Sequence, residues 1–137
     1  MILAFLIAIV LPIIVAQRSR EIEGFTEFYL QDNFGRASSF PDEILVDELF
    51  TIITGITNHE GRTVEYSVIV KYGDQIISSV PFLSISNGES WNHPVEISIP
   101  NAGNQQIIEF ILIRQGYPSP YRNLHIFVDV KPADVNN

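Results

Sequence analysis

The chain has 137 residues, no cysteine, and a formal net charge of −8 from 16 acidic and 8 basic side chains. Such a length holds one domain of ordinary size, which can bury a core without disulfides. The missing cysteines exclude thiol catalysis, lipoprotein-type acylation and cysteine-ligated metal, and an acidic chain without a basic stripe is no nucleic-acid binder.

The sequence opens on MILAFLIAIVLPIIVA, sixteen residues without a charge. As a helix this run spans roughly 24 Å, against roughly 30 Å of bilayer hydrocarbon. We expect a transmembrane anchor helix over residues 1–17, with Leu3, Phe5, Ile9 and Ile13 meeting the lipid and Pro12 tolerated where neighbours re-satisfy the freed carbonyl. Being short, it stands nearly upright or borrows length from Gln17 and a snorkelling Arg18. A cleaved signal peptide would have a basic n-region, absent here, and a small-x-small site, of which Ile14-Val15-Ala16 supplies half. Residues 18–23 form a juxtamembrane linker. Its Arg18 and Arg20 would by themselves place the following domain in the cytoplasm, a weak signal beside Glu21 and Glu23.

From residue 24 the pattern alternates, as in half-buried strands. In the clearest run, Val64, Tyr66, Val68, Val70 and Tyr72 share one face while Thr63, Glu65, Ser67 and Lys71 take the other. Strands are predicted over 25–30, 50–57, 63–72, 75–79, 91–99, 105–114 and 124–130. Asn58-His59-Glu60-Gly61, Tyr72-Gly73-Asp74, Asn87-Gly88 and Pro100-Asn101-Ala102-Gly103 supply turn chemistry between them. About seven short strands without helical periodicity argue for an all-β, Ig-like antiparallel β-sandwich over 24–131, with a small barrel as the alternative and 132–137 as a tail. The acidic stretch 42–48 reads as a solvated linker; it lacks the Asp/Asn-Gly spacing of a dedicated calcium loop. Trp91, in phase with His93, Val95 and Ile97, is expected in the core.

No constellation points to catalysis. His59, His93 and His125 lie in three segments without H-x-H or HExxH spacing, so no metal site is expected. The chain has no G-x-S-x-G elbow, phosphate loop or dinucleotide fingerprint, and no cofactor is expected. The surface segment that stands out runs from Arg114 to Arg122. Its prolines fix an extended path, and tyrosine and arginine are favoured at interface hot spots. Tyr117, Pro118, Pro120, Tyr121 and Arg122 are therefore the candidate interaction surface. The competing reading is a rigid crossover whose tyrosines cap the core.

Four stretches carry a family resemblance: Gly24-Phe25-Thr26-Glu27-Phe28-Tyr29-Leu30, Asn58-His59-Glu60-Gly61-Arg62-Thr63-Val64-Glu65-Tyr66, Gly88-Glu89-Ser90-Trp91 and Pro120-Tyr121-Arg122-Asn123-Leu124-His125. In that order they resemble the extracytoplasmic domain of a mainly archaeal membrane-protein family, domain of unknown function 1616. The resemblance covers most of residues 24–131 and the end of the apolar segment. It implies a sandwich outside the cytoplasm, against the arginine signal, and this chain departs from multi-span members in having one short span. The expectation is thus a single-pass cell-membrane protein whose extracytoplasmic sandwich is a non-catalytic protein-interaction module. Its expected partners are the lipid bilayer, through residues 1–17, and other membrane subunits or envelope proteins. An accessory subunit of a larger archaeal membrane complex, respiratory or oxygenase in type, and a pilin-like filament subunit are the alternatives.

Overall fold

The computed structural model describes residues 24–36, 40–118 and 120–133; the expected anchor, with Leu3, Phe5, Ile9, Pro12 and Ile13, lies outside them. Among the described residues no helix is long and apolar enough to cross a membrane. Eight strands follow in order: β1 (Phe25–Gln31), β2 (Glu43–Leu45), β3 (Phe50–His59), β4 (Val64–Tyr72), β5 (Gln75–Ile85), β6 (Ser90–Ile97), β7 (Gly103–Arg114) and β8 (Arg122–Lys131). They form a three-stranded sheet, β1-β3-β6, and a five-stranded sheet, β2-β8-β7-β4-β5. The all-β sandwich is as expected, but eight strands replace about seven, and the β2–β8 pair is parallel in an otherwise antiparallel arrangement.

Alternation explains why these segments are strands and why two sheets meet. Val64, Tyr66, Val68 and Val70 are buried on one face of β4, as predicted. They join Ile108, Phe110 and Leu112 of β7 and Val128 and Val130 of β8 on the inner side of the five-stranded sheet. Ile52 and Ile56 of β3 and Val95 and Ile97 of β6 supply the opposing layer. Each such side chain contributes on the order of 1.5–3 kcal/mol when fully buried. Trp91 is only half-buried at the rim of this core, its ring stacked on His93 with centroids 5.4 Å apart.

The acidic stretch corrects the linker expectation. Ile44 is buried, and Glu43–Leu45 pairs with residues Asp129 to Lys131. The chain then turns through Asp47, with φ of 62° and its amide donating to Ile99 O at 3.0 Å. Strand β5 runs to Ile85, well past residue 79, because an edge strand tolerates Pro81 and absorbs it in a register shift against β4 between Tyr66 and Val68.

Connectivity divides the molecule into two ends. Asn58-His59-Glu60-Gly61 is an arch from β3 in one sheet to β4 in the other, rather than a hairpin within one sheet. Register places the start of β1, this arch, the β5–β6 loop and the β7–β8 loop together at one end. The described chain enters there, at Gly24. The opposite end carries the β4–β5 turn and the acidic connections that hold Asp32, Asp42, Asp47, Glu48 and Asp74.

Candidate functional site

The entry end is organised around the Glu60 carboxylate, whose side chain is 4% exposed. Asn58 shapes the arch that delivers it. Fully buried, Asn58 donates through Nδ2 to Arg62 O and Ile85 O, both at 2.8 Å, and accepts at Oδ1 from the Glu60 amide at 2.8 Å. Its own amide donates to Glu89 O, and Gly61 N donates to Asn87 Oδ1, so the β5–β6 loop is tied to the arch. Gly24 passes so close that a Cβ there would lie 2.7 Å from Glu60 Cα, which only glycine permits.

Glu60 Oε1 accepts from Thr26 Oγ1 at 2.8 Å and from Tyr121 OH at 2.8 Å, and Arg114 Nη1 stands 3.3 Å away. Thr26 Oγ1 is also 2.7 Å from Tyr66 OH. A hydroxyl has one proton to give, and that of Thr26 goes to the carboxylate, so Tyr66 is the donor to Thr26. The result is a chain of donors, Tyr66 to Thr26 to Glu60, met from the other side by Tyr121 and Arg114. Burial pushes the Glu60 carboxyl up, but the two hydroxyl donors and the charges of Arg114 and Arg62 outweigh it and hold the pKa below the ordinary value. Burial is also the largest influence raising Tyr66 and Tyr121, so both remain neutral donors at physiological pH.

A second layer lies over this one. Arg114 and Arg122 flank the Tyr121 ring at 5.2 and 4.5 Å from its centroid, and the Tyr117 ring meets it edge-on at 4.9 Å. Arg114 also lies 5.4 Å from the Tyr117 centroid. Cation–π contacts of this kind contribute on the order of 0.5–2 kcal/mol. Tyr117 is 50% exposed, and Pro118, Pro120 and Arg122 are exposed beside it.

The five surface residues singled out from sequence thus divide. Tyr121 caps the core end and is locked from below, whereas Tyr117, Pro118, Pro120 and Arg122 form the outer surface of the loop. Sequence reasoning did not single out Thr26, Glu60, Tyr66 or Arg114 as a group. Three of them, with Tyr121, sit inside the stretches that carried the family resemblance, and this convergence is the signal that marks them. The three histidines are dispersed. His59 stacks on Phe25 at 4.7 Å, His93 lies beside Trp91, and His125 meets the edge of Phe127. Chemically the arrangement holds rather than reacts, since a carboxylate saturated by two hydroxyls and a guanidinium, with a lowered pKa, is a poor proton shuttle at neutral pH.

Comparison with solved structures agrees with the architecture. The chain is similar to the CARDB domain of a Pyrococcus furiosus protein crystallised in complex with di-metal ions, with a TM-score of 0.58 and 13% identity over 79% of this chain and 94% of that one. The solution structure of that domain matches at a TM-score of 0.55 and 14% identity, covering 80% and 97%. A mutant β-glucosidase from Listeria innocua in complex with laminaribiose matches at 0.50 and 12% identity, over 79% of this chain but 16% of the enzyme. At these identities the likeness is one of fold, an Ig-like sandwich of CARDB type. No curated protein matches the sequence. The family model described as domain of unknown function DUF1616 matches residues 19–129, and the chain belongs to that family.

Proposed function

We propose that this protein is a non-catalytic interaction module, tethered in the cell membrane through residues 1–17 with its sandwich on the extracytoplasmic side, and that the 117–122 loop is its contact surface for another membrane or envelope protein. The observation that carries the reading is the Glu60 clamp, in which three segments distant in sequence converge and fix Arg114 and Tyr121 on either side of the loop's outer residues. Binding by a loop ordered beforehand avoids the entropy of ordering it on contact, and Tyr and Arg are the side chains that profit most from such fixing. Tyr117 and Arg122 are presented in that state. The uncharged N-terminal run supports the tether, because the described chain begins at the same end as the clamp. The acidic connections of the opposite end favour that end turning away from an anionic lipid surface.

An accessory subunit of a larger membrane complex is the second reading. It is favoured by the shortness of the apolar run, which neighbouring helices would support. Extraction of native membranes in mild detergent, followed by native gels, tests both. A discrete co-migrating species that the Tyr117→Ala variant loses is the expected result. A lone chain under every gentle condition, or a chain left in the soluble fraction, would count against them. Protease added to intact cells should reach the sandwich, and a protected sandwich would reverse the orientation.

A further inference from the structure

The outer face of the five-stranded sheet is apolar where an antiparallel sandwich ordinarily meets water. Ile69 of β4 and Ile111 and Ile113 of β7 point outward and are half-buried by their neighbours, while Ile76, Ile107 and Phe127 are 57%, 44% and 52% exposed. A contiguous apolar sheet face marks a docking surface. Two charges stand at its middle, Lys71 on β4 and Glu109 on β7, directly opposite each other in register, with Glu65 towards the clamp end and Asp129 towards the other end of the same face. Among the described residues neither Lys71 nor Glu109 takes part in an ion pair.

We infer that this face binds a second copy of the chain, sheet against sheet, about a two-fold axis that runs above the outer face, over the seam between β4 and β7 and parallel to them. Rotation about such an axis keeps every residue at its own level and lays β4 over β7 of the second copy. The register then decides what meets. Lys71 falls over Glu109 of the second copy and Glu109 over its Lys71, because the two are paired in one chain. Ile69 and Ile111, also paired, fall over each other in the same way, and Ser67 meets Ile113. On the flanks β5 lies over β8, so Ser79 meets Asn123 and Ile76 meets His125. At its centre the face is complementary to itself, Lys71 with Glu109 and Ile69 with Ile111, as an isologous interface requires.

The point at which the described chain begins favours the same axis. Residues 1–23 join the sandwich at Gly24, at the clamp end. An axis parallel to the strands leaves the clamp ends of both copies facing the same way, so both apolar segments reach one membrane. A face-to-face pairing about a perpendicular axis would send them in opposite directions. This last step rests on the tether proposed above; the charge and register argument does not.

The test uses the full chain in mild detergent, with its mass read by native mass spectrometry. The expected species is twice the 15.5 kDa chain. Lys71→Glu alone and Glu109→Lys alone each set like charges across the interface and should lose the dimer. An equimolar mixture of the two variants should regain it, since each then opposes the other's altered charge. The same exchange carried in one chain, K71E with E109K, should dimerise and also controls for folding. A cysteine-free background adds a second reading: chains carrying Ile69→Cys should cross-link to chains carrying Ile111→Cys more readily than either does to itself. A monomer at every concentration, including one whose face is covered by its own residues 1–16, would overturn the inference. Dimers that survive both single reversals, or a mixture that stays monomeric, would overturn it too. Failure of the tether alone would appear differently, as a chain soluble without detergent that still obeys the charge-exchange pattern.

Discussion

Removal of the Glu60 carboxylate should cost more than any other single change at the entry end. Glu60→Ala strands three groups at once: the hydroxyls of Thr26 and Tyr121 lose their acceptor, and Arg114, whose side chain is 14% exposed, keeps a charge without its partner. Breaking a buried pair from one side costs about 3–5 kcal/mol. That is a large part of the roughly 5–15 kcal/mol that stabilises a domain. Glu60→Gln retains an accepting oxygen of the same reach and loses only the charge, so about 1–2 kcal/mol is expected. Urea unfolding of the full chain in mild detergent, followed through the single tryptophan, Trp91, measures both. The pH profile gives an independent arm. The folded pKa of Glu60 lies below its ordinary 4.5, so its contribution is present above about 4.5 and fades as pH falls through the folded value. Tyr66 and Tyr121 are raised above 10, so their contribution is present below about 10 and fades as pH rises through the folded values. Glu60→Gln should flatten the acid limb and reduce the alkaline limb without removing it, because burial, the largest influence on both tyrosines, stays while the Glu60 charge that adds to it is lost. An alanine variant within about 1 kcal/mol of the parent, or one no worse than glutamine, would refute the clamp.

Further expectations separate the cap from the surface and probe the sheets. Tyr121→Phe should cost about 1–3 kcal/mol in the same assay, because it withdraws a donor from a buried carboxylate, whereas Tyr117→Ala should stay within about 1 kcal/mol. Gly55→Ala should destabilise by about 1–3 kcal/mol, since its Cβ would collide with the Tyr29 ring that crosses the outer face of the three-stranded sheet to Asn92. Tyr29→Ala in the same chain should return much of that loss. Ile44→Ala should cost about 2–4 kcal/mol and Leu45→Ala less than about 1 kcal/mol, a contrast that a solvated linker would not produce.

The strands were legible in the sequence because burial alternates along them. Val64, Tyr66, Val68 and Val70 announce both a strand and its inner face. Strand β2 was not, since three residues with one buried side chain make no period, and its partner β8 lies more than eighty positions away. The length of β5 was hidden by Pro81, whose tolerance depends on the strand being at an edge. The arch is not distinguishable from a hairpin in the sequence, because its turn residues are the same whether the chain returns to its own sheet or crosses to the other; only pairing distinguishes them. The loop 117–122 was legible from composition alone. What fixes it was not, because Thr26, Glu60 and Tyr121 are 34 and 61 positions apart and no spacing rule relates them.

The central claim, a tethered module that meets another protein through the 117–122 loop, is tested most directly by a photo-crosslinking side chain at Tyr117 in intact cells. The reading predicts one discrete protein adduct in the membrane fraction, absent when the same probe replaces Asp74 at the far end of the sandwich. No adduct at Tyr117, or the same adducts from both positions, would contradict it.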